Sequence, residues 1–187
     1  MGRGAGGGEA AARPRELRWQ DGGVSPHLRV TAVCSGNICR SPIAEYVLRD
    51  AVERAGLAEA IVVDSAGVGA WHVGEGADPR SLQVLAAHGY DGSAHRVQQI
   101  TSAWFEGPEA PDLLLAMDAS HHAALRRMAP GTDVRLIRSF DRQLAARPDA
   151  DLDVPDPYYG RGDGFERVLA MIERATPGVV THLRTLL

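Results

Sequence analysis

The sequence predicts an α/β fold, a parallel sheet with helices on both faces. Three observations predict it. Short, continuously apolar runs such as Leu113-Leu114-Leu115-Ala116-Met117 have the character of strands buried on both sides. They alternate with segments whose apolar residues recur at helical spacing. Glycine or proline stands at several of the junctions.

Residues 1–27 are rich in Gly, Ala, Arg and Pro and lack periodicity, so they are expected to form a flexible extension, with Trp19 as a docking point. They lack the apolar core of a signal peptide. The first strand is Leu28 to Val33. A helix follows from Pro42 to Ala55, with Ile43, Ala44, Val47, Leu48, Ala51, Val52 and Ala55 on its apolar face. Pro42 suits its first turn and Gly56 its C-terminal cap. Ile61-Val62-Val63 is the second strand, and Asp78 to His88 a helix ended by Gly89. Leu113 to Met117 is the third strand, Ala119 to Met128 a helix, and Val134 to Ile137 the fourth strand. A last helical region runs from Gly164 toward Leu187, where Pro177-Gly178 is expected to kink or split it.

Composition narrows the function. The chain has 187 residues, 44% hydrophobic and 24% charged, which fits one soluble domain. A net charge of -4 disfavours nucleic acid and anionic lipid as partners. No apolar run approaches the ~20 residues that span a membrane. Two cysteines exclude a Cys₄ zinc site and argue against a secreted disulfide scaffold, so a cytoplasmic location is expected. All 20 basic residues are arginine, which excludes a Walker A lysine and Schiff-base catalysis. No histidine has metal-site spacing with partner ligands, and neither a metal nor a cofactor is expected.

Open parallel sheets bind ligands beyond the carboxyl ends of their strands, so function is expected after Val33, Val63, Met117 and Ile137. Cys34-Ser35-Gly36-Asn37-Ile38-Cys39-Arg40-Ser41-Pro42 leaves the first strand and enters a helix. A loop that ends at a helix N-terminus turns backbone N–H groups inward and cradles an anion. Gly36 permits a conformation closed to most residues, and Asn37 tolerates the left-handed region. Arg40 offers a fork of donors matched to two phosphate oxygens. The same field favours the thiolate of Cys34, which can attack phosphorus in line. Ser41 can hydrogen-bond that sulfur as a leaving group.

Cys34 to Glu45, CSGNICRSPIAE, resembles the signature loop and following helix of the low-molecular-weight protein tyrosine phosphatases. Asp156-Pro157-Tyr158-Tyr159 resembles a second mark of that family. Weaker resemblances are Asp64-Ser65-Ala66-Gly67, His88-Gly89, His95 and Met117-Asp118. The resemblance covers residues 28–187 as one phosphatase domain. It implies a four-stranded parallel twisted sheet with helices on both faces, the phosphotyrosine protein phosphatase I-like fold.

It also implies the site. Cys34, Arg40 and Asp156 are expected to be catalytic, with Asp156 protonating the leaving group and then deprotonating water. Ser35, Gly36, Asn37, Ile38, Cys39 and Ser41 would line the phosphate. Trp71, Tyr158 and Tyr159 would wall the cleft, and either tyrosine is a target for a tyrosine kinase. Asn37, Ser65 and His95 resemble a hydrogen-bond network bracing the loop, and Asp118 an aspartate near it. Cys39 would trap an oxidised Cys34 as a disulfide. His72, His88, His121 and His122 are expected to be structural, and Asp149, Asp151 and Asp153 solvated. The expected substrates are phosphotyrosine proteins. Phosphoarginine is disfavoured because Ile38 stands where the family members that take it carry threonine. Two alternatives remain: an arsenate reductase of the same fold, for which no cysteine follows Cys39, and a non-catalytic phosphate-binding module.

Overall fold

The computed structural model describes residues 28–144, 151–160 and 162–187. The expected N-terminal extension with Trp19, and Asp149, lie outside the described residues.

Four strands pair in parallel in the order β2-β1-β3-β4: β1 Leu28–Cys34, β2 Ile61–Gly67, β3 Leu113–Ala116 and β4 Asp133–Leu136. Four helices cover the sheet: α1 Arg40–Arg54, α2 Pro79–Ala87, α3 Ala119–Met128 and α4 Gly164–Arg184. Period-two alternation splits β1 between two cores. Leu28, Val30 and Ala32 face Ile43, Val47, Val84, Leu169 and Ile172 of α1, α2 and α4. Val33, with Leu114 and Ala116 of β3, faces Leu125 of α3 and Ile100. Both faces are therefore covered, as expected for a parallel sheet.

β2 runs four residues beyond the expected Ile61-Val62-Val63, because its polar continuation is satisfied inside the protein. Asp64 Oδ1 accepts from Thr31 Oγ1 at 2.5 Å and Oδ2 from Arg29 Nη1 at 2.6 Å. The Asp64 carboxyl is nevertheless raised above its ordinary range, since burial outweighs those two donors. β4 stops at Leu136, and Ile137 opens a 3₁₀ turn, Ile137–Phe140. A further 3₁₀ turn, Ser102–Phe105, carried no sequence signal.

The expected break at Pro177-Gly178 does not occur; α4 runs unbroken through both residues. A proline inside a helix costs about 3 kcal/mol. Val168, Leu169 and Ile172 before it, and Val179 and Leu183 after it, are buried on one face. Each such side chain contributes roughly 1.5–3 kcal/mol, so burial exceeds the cost. Gly178 has a packing reason: a Cβ there would stand 2.1 Å from the carbonyl oxygen of Phe140. The Ile137–Phe140 turn sits in the notch that the missing side chain leaves.

The helix caps follow the sequence. Gly56 closes α1 at φ 70° and Gly89 follows α2 at φ 85°. Asp78 caps α2, its Oδ1 accepting from Arg80 N at 2.8 Å, with Pro79 at the first helical position.

Candidate functional site

The site forms at the carboxyl ends of β1, β2 and β3. Cys34 ends β1, pairs in register with Gly67, and is 2% exposed. The loop 35–39 then turns into α1. Cys39 occupies the N-cap of α1 without a side-chain hydrogen bond, and the first turn holds no acidic residue. The helix start thus keeps its positive end for an anion. Gly67 lets β2 pass close to this loop: a Cβ on it would lie 2.9 Å from the Ser35 carbonyl oxygen. Val68 N and Gly69 N donate to the carbonyls of Cys34 and Ser35, both at 2.9 Å.

The left-handed residue of the loop is Asn37, at φ 56°, as its tolerance of that region suggested; Gly36, which permits such a conformation, does not use it. The left-handed conformation costs a non-glycine residue roughly 1–2 kcal/mol. Asn37 is fully buried and its polar atoms are matched. Its Nδ2 donates to Ser41 Oγ at 2.9 Å and Ser65 Oγ at 2.8 Å. Its Oδ1 accepts from Gln98 N, and its carbonyl faces His95 Nε2, both at 2.9 Å. Ser65 Oγ in turn donates to Glu45 Oε2 at 2.5 Å, and His95 Nδ1 lies 3.4 Å from the same oxygen. The expected network of Asn37, Ser65 and His95 is therefore present, with Glu45 as its buried anchor.

Ser41 Oγ lies 3.1 Å from Cys34 Sγ. Asn37 donates to that oxygen, so the Ser41 proton is left for one of two acceptors, Cys34 Sγ or the Ala66 carbonyl at 3.3 Å. Arg40 is 3% exposed. Its Nη1 donates to Asp118 Oδ2 at 2.8 Å and to the Val154 carbonyl at 3.1 Å. Its Nη2 donates to Ser35 Oγ at 3.2 Å and to Asp156 Oδ2 at 3.0 Å. Among the described residues its Nε is buried without a hydrogen-bond partner. A buried charged donor left unpaired is costly, and a bound phosphate would satisfy it.

Asp156 comes from the segment before α4, tied to the end of β3 by Val154 N donating to the Met117 carbonyl at 2.7 Å. The end of β4, where sequence also predicted function, places no predicted site residue. Asp156 is 44% exposed at its side chain, so it reaches both the pocket and water. Asp153, expected to be solvated, is half-buried and accepts from Ala119 N, the first residue of α3, at 2.8 Å, while Asp118 caps that helix. Asp151 matches that expectation of exposure, although its Oδ1 accepts from Asp153 N at 2.9 Å.

The rim is apolar. Trp71 is 72% exposed, and its ring lies against Gly69. Tyr159 is 90% exposed and Tyr158 39%, with their rings edge-to-face at 4.9 Å. Ile38 is half-buried and packs partly on the core. Among the described residues the Trp71 ring does not stack on either tyrosine. Cys39 is buried, and burial together with the Asp78 charge pushes its thiol up to about 12.

Two residues were not foreseen. His121, expected to be only structural, lies 2.9 Å from Ser35 Oγ through Nε2 and 2.9 Å from Asp118 Oδ1 through Nδ1. Burial first, and then the Arg40 charge, hold its ring below its ordinary range against the pull of Asp118. Burial pushes Asp118 up, but hydrogen bonds from Ser120 Oγ and His121 N–H, with Arg40 nearby, hold it below the usual carboxylate range. The spacing Asp118-x-x-His121 at a helix start was the available signal. Glu45 is the second: an acidic residue beside Ala44 and Val47 on the buried face of α1.

Comparison with known proteins agrees with this geometry. The family model described as low molecular weight phosphotyrosine protein phosphatase matches residues 29–186. A low molecular weight protein-tyrosine-phosphatase of Streptomyces coelicolor is 52% identical over 160 residues, 83% of this chain and 93% of the relative. Low molecular weight protein-tyrosine phosphatase A of Mycobacterium tuberculosis is 45% identical over 157 residues, 83% of this chain and 91% of the relative. Among solved structures, a protein tyrosine phosphatase of Entamoeba histolytica superposes with a TM-score of 0.74 at 30% identity, covering 84% of this chain and 97% of its own. A Drosophila arginine phosphatase superposes with a TM-score of 0.72, also at 30% identity, covering 83% and 97%. The chain belongs to the low molecular weight phosphotyrosine protein phosphatase family and is an enzyme of that family, a protein-tyrosine phosphatase.

Proposed function

We propose that the chain hydrolyses phosphotyrosine in proteins through a cysteinyl-phosphate intermediate. The observation that carries this is the convergence of Cys34 Sγ, Ser41 Oγ, the buried Arg40 guanidinium and Asp156 on one mouth at the start of α1. The Cys34 thiolate attacks phosphorus; the S–P bond forms as the P–O bond to the tyrosyl oxygen breaks. The Asp156 carboxyl gives its proton to the departing phenolate. In the second step Asp156, now a carboxylate, takes a proton from water. The water oxygen bonds phosphorus, and the thiolate leaves toward Ser41. Loop N–H groups and Arg40 hold the phosphoryl oxygens throughout. In the resting site Arg40 Nη2 is held by Asp156, 3.0 Å away. A phosphoryl dianion competes for that donor and frees the carboxyl for the leaving oxygen.

Substrate length follows from depth. Cys34 is 2% exposed, so a long aryl phosphate reaches it more readily than the short arm of phosphoserine. Trp71 and Tyr159 supply exposed rings for the aromatic group. Tyr158 and Tyr159 are also accessible to a tyrosine kinase, and the free thiols of Cys34 and Cys39 suit a reducing cytoplasm.

The test is hydrolysis of aryl phosphates of graded leaving-group pKa, with EDTA present. Asp156→Ala should lower kcat by roughly 10²–10⁴-fold on poor leaving groups and much less on good ones. A uniform loss would remove Asp156 as the acid. Phosphotyrosine peptides should exceed phosphoserine peptides and phosphoarginine in kcat/KM; a preference for phosphoarginine would overturn the reading of Ile38.

A further inference from the structure

Arg80 connects the phosphate loop to the segment that carries Asp156. At one end, Asp78 N donates to the Ile38 carbonyl at 2.8 Å, and Ser81 Oγ donates to the same carbonyl at 3.2 Å. The Asp78 carboxylate then holds Arg80 twice: Oδ1 accepts from Nε at 3.0 Å and Oδ2 from Nη2 at 2.7 Å. This fork-to-fork contact fixes the plane of the guanidinium. Its remaining edge points at the acid segment, where Nη1 donates to the Tyr158 carbonyl at 3.1 Å. The guanidinium also lies over two rings, 5.4 Å from the centroid of Tyr158 and 4.7 Å from that of Phe165, within cation–π range. Tyr158 N donates to Asp156 Oδ1 at 3.0 Å. Asp156 Oδ2 accepts from Arg40 Nη2, which closes the circuit at the first turn of α1.

We propose that Arg80 is a positioning residue for the general acid: it fixes the Tyr158 carbonyl and ring, and through the Tyr158 N–H the orientation of the Asp156 carboxyl over the phosphate loop. This rests on the reading of Asp156 as the acid. Arg80 acts through its contacts with Asp78, Tyr158 and Phe165. Its side chain is 43% exposed, so its ion pair with Asp78 adds little to global stability. Orientation is a different matter, because a small misplacement of a proton donor costs rate only where a proton is needed. Lysine is not an equivalent here. Its single ammonium cannot grip both Asp78 oxygens, reach the Tyr158 carbonyl and lie flat over two rings at once.

The experiment is a double-mutant cycle of Arg80→Ala with Asp156→Ala, read on aryl phosphates of graded leaving-group pKa, with Arg80→Lys as the conservative variant. Inhibition by inorganic phosphate reports the pocket, and thermal unfolding reports the fold. Arg80→Ala is expected to lower kcat about 10-fold or more on phenyl phosphate and phosphotyrosine peptide, and about 3-fold or less on the best leaving groups. Phosphate inhibition and the unfolding temperature should stay near the parent values. Arg80→Lys should fall between Arg80→Ala and the parent. In the Asp156→Ala background, Arg80→Ala should add less than about 2-fold. Two results overturn the proposal and are distinguishable. A flat leaving-group dependence for Asp156→Ala itself removes the acid and the positioning role together. A steep dependence for Asp156→Ala, with a uniform or fully additive loss for Arg80→Ala, leaves the acid and removes the positioning role.

Discussion

Cys34 lies between a hydroxyl at 3.1 Å and a helix start that no side chain caps, which is why it is proposed as the nucleophile. Cys34→Ser is expected to abolish turnover while keeping phosphate binding, because an alkoxide forms far less readily than a thiolate. Turnover near the parent rate, measured beside phosphate binding by calorimetry, would take Cys34 out of the mechanism. Cys39 differs in kind. Its thiol is pushed up to about 12 by burial and the Asp78 charge, so in the resting site it is held protonated. On the reading of Cys34 as nucleophile, peroxide is expected to take its sulfur to a sulfenic acid; Cys39 would then bond that sulfur as its own proton passes to the departing hydroxyl, which leaves as water, giving a disulfide. After mild peroxide and thiol reductant, the parent should regain most of its activity and Cys39→Ser only a minor part. Equal recovery would show that Cys39 gives no protection. The types and spacing of these loop residues were plain in the sequence. The roles of His121 and Glu45 were not, because a histidine and a glutamate on helices carry no mark of what they face.

At the scale of elements, α4 shows how packing overrides local preference. Pro177-Gly178 reads as a break, yet the helix continues, with Gly178 receiving the Phe140 carbonyl. Gly178→Ala would set a Cβ 2.1 Å from that oxygen, so either α4 or the 137–140 turn must shift. Overpacking of this kind costs about 1–3 kcal/mol or more. Urea unfolding should show a lower midpoint with an unchanged slope. A gain in stability, as helix propensity alone predicts for glycine to alanine, would show that the contact is soft. β2 makes the complementary point. Asp64 and Ser65 end an apolar run and so mask the strand, but their partners Thr31, Arg29, Asn37 and Glu45 come from elsewhere in the chain.

At the scale of the whole molecule, several shifted groups couple the site to acid stability. His121 is held below its ordinary value of 6.5 by burial and then Arg40, while Asp118, Asp153, Asp156 and Ser35 complete its surroundings. The unfolded chain therefore binds a proton on this ring at a pH where the folded chain does not. Stability from this group is full above about pH 6.5 and is lost as pH falls toward its folded value. Asp118 and Asp78 follow the same sign in a lower window. Both sit below their ordinary value of 3.8, so their contribution is present above that pH and lost beneath it; that of Asp78 is small, because it comes chiefly from its hydrogen bond to the exposed Arg80. Asp64, raised by burial, acts in the opposite sense and is relieved by acid. Denaturant unfolding should thus weaken between pH 7 and pH 5, and His121→Asn should flatten that dependence. An unchanged slope in the variant would assign the weakening to other groups.

The order and type of the eight principal elements, the covered parallel sheet and the anion-binding loop were legible in the sequence because each depends on local periodicity, caps and one contiguous motif. Cys34, Asn37, Arg40 and Ser41 lie within eight consecutive residues, so their relation needed no tertiary information. Periodicity, caps and spacing could not give the pairings across the chain: the family resemblance put Asp156 in the site and Asp118 near the loop, but only the fold showed them on Arg40 over 116 and 78 positions, and only the fold showed His121 on Ser35 over 86. Side chains so distant meet only after parallel β-strands bring their carboxyl ends to one edge. The partner that satisfies a buried charge is then chosen by that geometry, since desolvation makes an unmatched neighbour costly and leaves its mark in no single stretch of sequence.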